Sequence, residues 1–117
     1  MRGIGETDRR PWGEFTVLAG DGDFRIKRVS VEPARRLSLQ RHGKRSEHWF
    51  ILRGKARVTR DEREILLEAG DSVDIPQGAW HRIENTGGEP LVFIEIQTGQ
   101  AFEEDDIERR EDDFGRS

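Results

Sequence analysis

Cysteine is absent from the 117 residues, so neither disulfides nor thiolate metal ligands contribute to this fold. Apolar residues are scarce: the hydrophobic set makes up 32% against 38% charged, which requires economical placement around one core. No run approaches a membrane span, and the opening residues lack a signal-peptide apolar stretch. A cytoplasmic chain with no membrane partner is the expectation. A basic surplus is also missing. The formal charge of -4 argues against general nucleic-acid binding, which favours basic surfaces. With no repeat, heptad or linker, residues 1–117 read as a single domain, loose over 1–9 before Pro11.

What the chain does contain is a series of short β-prone runs. Residues 14–18 and 24–31 flank a Gly20-Asp21-Gly22-Asp23 turn, a hairpin signal. Pro33 ends the second run. Residues 49–52 and 55–60 break at Gly54, and 64–67 follows the charged turn Asp61-Glu62-Arg63. Residues 71–75 precede Pro76, 81–85 follow it, and 91–97 come after a Gly-Gly turn. Many short strands punctuated by glycine and proline predict an all-β sandwich or barrel. The acidic tail, residues 102–117, differs in composition; Ile107 and Phe114, seven apart, fit one face of a short helix.

Two segments carry chemistry. Gln40 and His42 share a strand face, Glu47 opens the returning strand across a turn at 43–46, and Gly54 closes the segment. The second runs from Gly70 through Pro76-Gln77-Gly78 to His81 and Asn85. Two imidazoles, a carboxylate and an amide oxygen suit a borderline divalent metal with positions left open. Gln40 is the weakest of these ligands, and its amide can instead hold a water. His48 neighbours Glu47 and should face the other side of the strand, and Asn85 suits a turn-holding role. Glu95 alternates with Ile94 and Ile96, which turns it toward the barrel interior as an acid, a base or an arginine partner.

The double pattern resembles the two motifs of the cupin superfamily, with Gln40 where the commonest version has a histidine. More narrowly, "RPWG" (10–13), "LSLQRHGKRSEHW" (37–49), "IPQGAWHRIEN" (75–85) and "EDDIERREDDFGR" (104–116) look like the type II mannose-6-phosphate isomerase domain. That resemblance covers nearly the whole chain. It implies a double-stranded jelly-roll barrel whose acidic tail, a short helix or an extended stretch, folds back beside the mouth. It also implies one divalent metal on Gln40, His42, Glu47 and His81, with Zn²⁺ first and Mn, Co, Ni or Fe as alternatives. A sugar phosphate is the implied partner, held by Arg45, Arg109, Lys27 and Arg116, with Arg45 and Glu95 as the catalytic candidates. The implied activity is interconversion of mannose 6-phosphate and fructose 6-phosphate.

The same resemblance implies sheet pairing between copies. Trp12, Phe15, Trp49, Phe50 and Trp80 exceed what one small barrel hides, so a homodimer is expected. The family's domain usually lies behind a sugar-1-phosphate guanylyltransferase. No Gly-rich nucleotide loop is present here, so that activity is not expected of this chain alone, and a separate nucleotidyltransferase chain could supply it. Three departures stand out. His42-Gly43-Lys44 replaces three consecutive histidines, Ala34 replaces a glycine, and Glu103 replaces another. Loss of a proton-shuttling histidine at Lys44 would leave a non-catalytic sugar-phosphate-binding cupin, the alternative reading.

Overall fold

The computed structural model describes residues 3–100, 102 and 106–111. Among them eleven strands run in chain order: β1 Thr7–Arg10, β2 Gly13–Asp21, β3 Phe24–Val31, β4 Leu39–His42, β5 Arg45–Arg53, β6 Lys55–Arg60, β7 Arg63–Glu68, β8 Ser72–Ile75, β9 His81–Asn85, β10 Leu91–Gly99 and β11 Ile107–Glu111. They form a six-stranded sheet, β1-β2-β3-β10-β5-β8, facing a five-stranded sheet, β11-β4-β9-β6-β7. This is the double-stranded jelly roll. No helix among the described residues is long and apolar enough to cross a membrane.

Strand parity explains both the core and the cavity. On β5 the buried positions are Arg45, Glu47, Trp49 and Ile51; on β10 they include Phe93, Glu95 and Gln97. On β3, Arg25, Val29 and Val31 are buried and Lys27 shares their face. Antiparallel register aligns these rows: Gln97 lies between Arg25 and Glu47, Glu95 between Lys27 and Trp49, and Phe93 between Val29 and Ile51. Each strand is therefore polar inside at one end and apolar inside at the other. The apolar end packs Val31, Ile51, Val58, Ile83, Leu91 and Phe93, all essentially inaccessible. The polar end cannot pack dry, and it remains a cavity.

Several expectations are corrected. Thr7–Arg10 is paired with β2 and buries Asp8, so the loose start reaches less far than residue 9. The turn before Glu47 is only Gly43-Lys44, because β5 begins at Arg45. Of the two forms expected for the tail, Ile107–Glu111 takes the extended one, as a strand on β4, and Phe114 lies outside the described residues. An amphipathic spacing read over an acidic run yields to the free edge of β4. Trp12, Phe15 and Trp49 are buried within the barrel, which hides more aromatic surface than its size suggested.

Candidate functional site

The cavity occupies about 480 Å³ at the polar end and brings together residues from both sheets. Gln40, His42, Glu47, His81, Lys27, Arg45, Glu95 and Arg109 all line it. Arg116 lies outside the described residues. His48 faces away, with its Nδ1 2.7 Å from Asp74 on the outer surface. Asn85 donates to the Val31 and Glu89 carbonyls and accepts from Gly87 N–H, a purely structural set.

Local geometry joins the two motif segments. Gly54 has φ 93, and a side chain there would meet the Pro90 and Leu91 backbone at 3.0 Å, so the β5–β6 turn needs glycine. Gly78 (φ 84) closes the turn after Pro76, and its N–H donates to the His42 carbonyl at 2.9 Å. Gln77 reaches the Gly43 carbonyl through its side chain and Ser46 Oγ through its N–H. The turn before His81 is thus pinned to the turn after His42.

Donor atoms of His42, Glu47 and His81 all lie within 4.8 Å of one another, and all three residues are buried. His81 Nδ1 lies 3.0 Å from the Ala79 carbonyl, an acceptor only, so Nδ1 donates there and the ring's Nε2 is the atom left to face the cavity. Burial holds His42 neutral, pushing its ring down to about 3 against the pull of Glu47. Burial opposes ionisation of Glu47, but His81, Arg45 and His42 outweigh it, and the carboxyl sits near 2. Trp49 Nε1 donates to Glu47 Oε1 at 2.8 Å and holds the carboxylate in place. His42 Nε2 and Glu47 Oε2 are 3.3 Å apart. Two donors on a tetrahedral ion with bonds of about 2.05 Å lie about 3.3 Å apart. A neutral His42 ring, an ionised carboxylate and this spacing fit a divalent cation. Gln40 is paired in register with His81, and its amide nitrogen donates to Ser38 Oγ at 2.7 Å, leaving its oxygen as the group on offer.

Deeper in the barrel, Glu95 accepts from Gln97 Nε2 at 2.5 Å. Burial, reinforced by the Glu47 charge, pushes the Glu95 carboxyl up to about 7 despite Lys27 and Arg45. Burial also lowers the Lys27 ammonium, which sits 4.2 Å over the Phe15 ring. Sequence reasoning missed Arg10, Arg25, Arg82 and Trp49, all of which line the cavity. Arg25 and Trp49 were readable, because each lies two residues from a residue already chosen, Lys27 or Glu47, on the same strand face. Arg82 neighbours His81 and carried no such signal; its Nε donates to the Leu37 carbonyl at 3.1 Å.

Comparison with known proteins matches residues 4–112 to the family described as mannose-6-phosphate isomerase C-terminal. The alginate biosynthesis protein AlgA of Pseudomonas syringae is 48% identical over 108 residues, covering 92% of this chain and 22% of AlgA. Mannose-1-phosphate guanylyltransferase ManC of Salmonella typhimurium is 43% identical over 107 residues, with the same coverages. The chain thus spans about a fifth of the curated relatives it matches. Among solved structures, Bacillus subtilis oxalate decarboxylase, described for its Mn(II) centres, superposes with TM-score 0.77 and 27% identity over 89% of this chain and 29% of that one. A double-stranded β-helix protein from Klebsiella pneumoniae has TM-score 0.73 at 20% identity, covering 95% and 90%, a likeness of fold alone. On this match, and on a jelly roll whose motif residues meet in one cavity, the chain belongs to the mannose-6-phosphate isomerase C-terminal family of cupins.

Proposed function

We propose that this chain is a single cupin domain that interconverts mannose 6-phosphate and fructose 6-phosphate in the cytoplasm, as a metal-dependent aldose–ketose isomerase. The observation that carries the reading is the layering of the cavity. His42, Glu47 and His81 cluster at its polar end, and Glu95 stands one inward position deeper beside Lys27. His42, Glu47 and His81, with the Gln40 amide oxygen, would hold one divalent ion. Zn²⁺ is the first choice, then Mn²⁺, the metal of the Bacillus neighbour, with Co, Ni or Fe behind. When bound, the ion would supply Lewis acidity toward the sugar's carbonyl and hydroxyl oxygens. Glu95, poised by burial near neutrality, takes the proton from C2 and returns it to C1, while the O2 proton passes to O1. Arg45, Arg109 and Lys27 orient the phosphate, joined by Arg25 and, from the tail, Arg116.

Purified protein loaded with each metal should turn over both hexose 6-phosphates, and Glu47→Ala should lose this activity. No turnover above that control with any metal rejects the reading. The ion should also raise the melting temperature of wild type and His48→Ala but not of His81→Ala. Equal stabilisation of wild type and His81→Ala would reject the ligand set.

The non-catalytic alternative, a module binding sugar phosphate beside a separate nucleotidyltransferase chain, rests on Lys44. That residue is exposed on the β4–β5 turn, and the described cavity lining does not include it. A histidine lost there costs the cavity no group, which favours the enzyme. Tight binding of mannose 6-phosphate without turnover would reverse the choice.

A further inference from the structure

The guanidinium of Arg45 occupies a telling position. Nη2 lies 3.0 Å from His42 Nε2, Nε donates to Glu47 Oε2 at 3.0 Å, and Nη1 reaches the Phe102 carbonyl at 3.4 Å. Arginine has no acceptor, so His42 Nε2 must be the acceptor, and its single in-plane lone pair is committed to Nη2. The ring's other nitrogen, Nδ1, has no hydrogen-bond partner among the described residues. A guanidinium thus sits as a fixed cation on two of the atoms that suit a divalent ion.

These two claims on His42 Nε2 are mutually exclusive, because one lone pair cannot accept a hydrogen bond and coordinate an ion at once. Glu47 differs, since a carboxylate oxygen has lone pairs for both Arg45 Nε and an ion. An ion at Nε2 therefore need not expel Arg45. It releases the Nη2 donors while Nε can stay anchored on Glu47. The side chain is 6% exposed and lines the cavity, so the released donors face the space an incoming ligand would enter. An unpaired buried charged donor is costly, and an incoming anion removes that cost.

We propose that Arg45 is a positioning residue that couples the two ligands: the metal ion frees its Nη2 donors for the substrate's phosphate group, so metal and phosphate each strengthen the other's binding. This rests on the metal and sugar-phosphate reading above but not on turnover. Reciprocity is required by linkage, so one coupling factor should appear in both directions.

The test is calorimetric titration of Co²⁺ into the metal-free full chain, with and without saturating mannose 6-phosphate, and of mannose 6-phosphate with and without Co²⁺. In wild type each ligand should tighten the other by about tenfold, within the usual range of coupling. Arg45→Met keeps much of the stem but has no donor. It should bind Co²⁺ alone severalfold more tightly than wild type, with the coupling reduced to near unity. Absence of coupling in wild type overturns the proposal without recourse to any variant. Weaker or unchanged Co²⁺ affinity in folded Arg45→Met also overturns it, and would point to coordination through His42 Nδ1. An active isomerase without coupling defeats this inference alone; coupling in a protein with no turnover defeats only the isomerase reading.

Discussion

At the scale of single residues, Glu95 has the most at stake. An acid buried beside Gln97 and Lys27, with its pKa raised from 4.5 to about 7, favours the folded state only while it is protonated. Its contribution is fully present below pH 4.5, the unfolded value, and is lost as pH rises through about 7. The size is on the order of 3 kcal/mol by the usual conversion of pKa shift to free energy. Glu95→Gln in metal-free protein should therefore flatten the fall in stability between acid and pH 8, measured by urea unfolding at each pH. The same change should reduce kcat by about 10²-fold or more if Glu95 is the base. Unchanged kcat would remove it from the chemistry while leaving the stability argument intact. Ala34 offers a second test, because it adopts φ 64, a left-handed backbone. A side chain there costs about 1 kcal/mol or more, partly offset by glycine's larger unfolded entropy. Ala34→Gly should be neutral to about 1 kcal/mol more stable in chemical denaturation, and a clear loss would contradict the strain.

At the scale of elements, β11 shows what short-range reading misses. Its strand character comes from a partner far away in sequence: Ile107 pairs with His42 and Arg109 with Gln40. Nothing within the acidic run announces that pairing, whereas β3, β6 and β9 carry it in their own composition. Three contacts fasten the strand. The guanidinium groups of Arg41 and Arg110 both lie over the Trp80 ring, 4.8 and 4.1 Å from its centroid. Arg41 also pairs with Glu108 at 2.9 Å. Asp106 accepts from the Gly43 and Lys44 N–H groups at 3.2 and 2.9 Å, capping the turn that joins His42 to Arg45. Asp106→Ala should cost about 1 kcal/mol, since water can replace part of what these exposed groups lose. Amide exchange should quicken at 107–111 while β5 and β10 stay protected, and phosphate affinity should fall through Arg109. Uniform exchange over the whole chain would show that the tail is not a separable unit. The four inner motif residues were legible because alternation and spacing fix their facing. The cations opposite them were harder to read, since 20 Lys and Arg gave many candidates and only register selects Arg25.

At the scale of the whole molecule, the expected homodimer needs a different basis, because Trp12, Phe15 and Trp49 are interior. The outer face of the six-stranded sheet carries apolar side chains instead. Phe50 (39% exposed) pairs in register with Ile94, and Ile96 pairs with Ile26; Leu52 (44%) extends the row along β5. These side chains alternate with the inward set, so no rearrangement of the barrel hides them, and a contiguous apolar face of this kind calls for a partner. A second copy suits it, since a two-fold axis lets one patch cover itself and adjacent His48–Asp74 pairs form a polar margin. Sedimentation at micromolar concentration should give a dimer for wild type and a monomer for Phe50→Glu. The substituted side chain lies outside the cavity, so metal binding should survive in the monomer. Wild type that remains monomeric at tens of micromolar would exclude the two-fold contact.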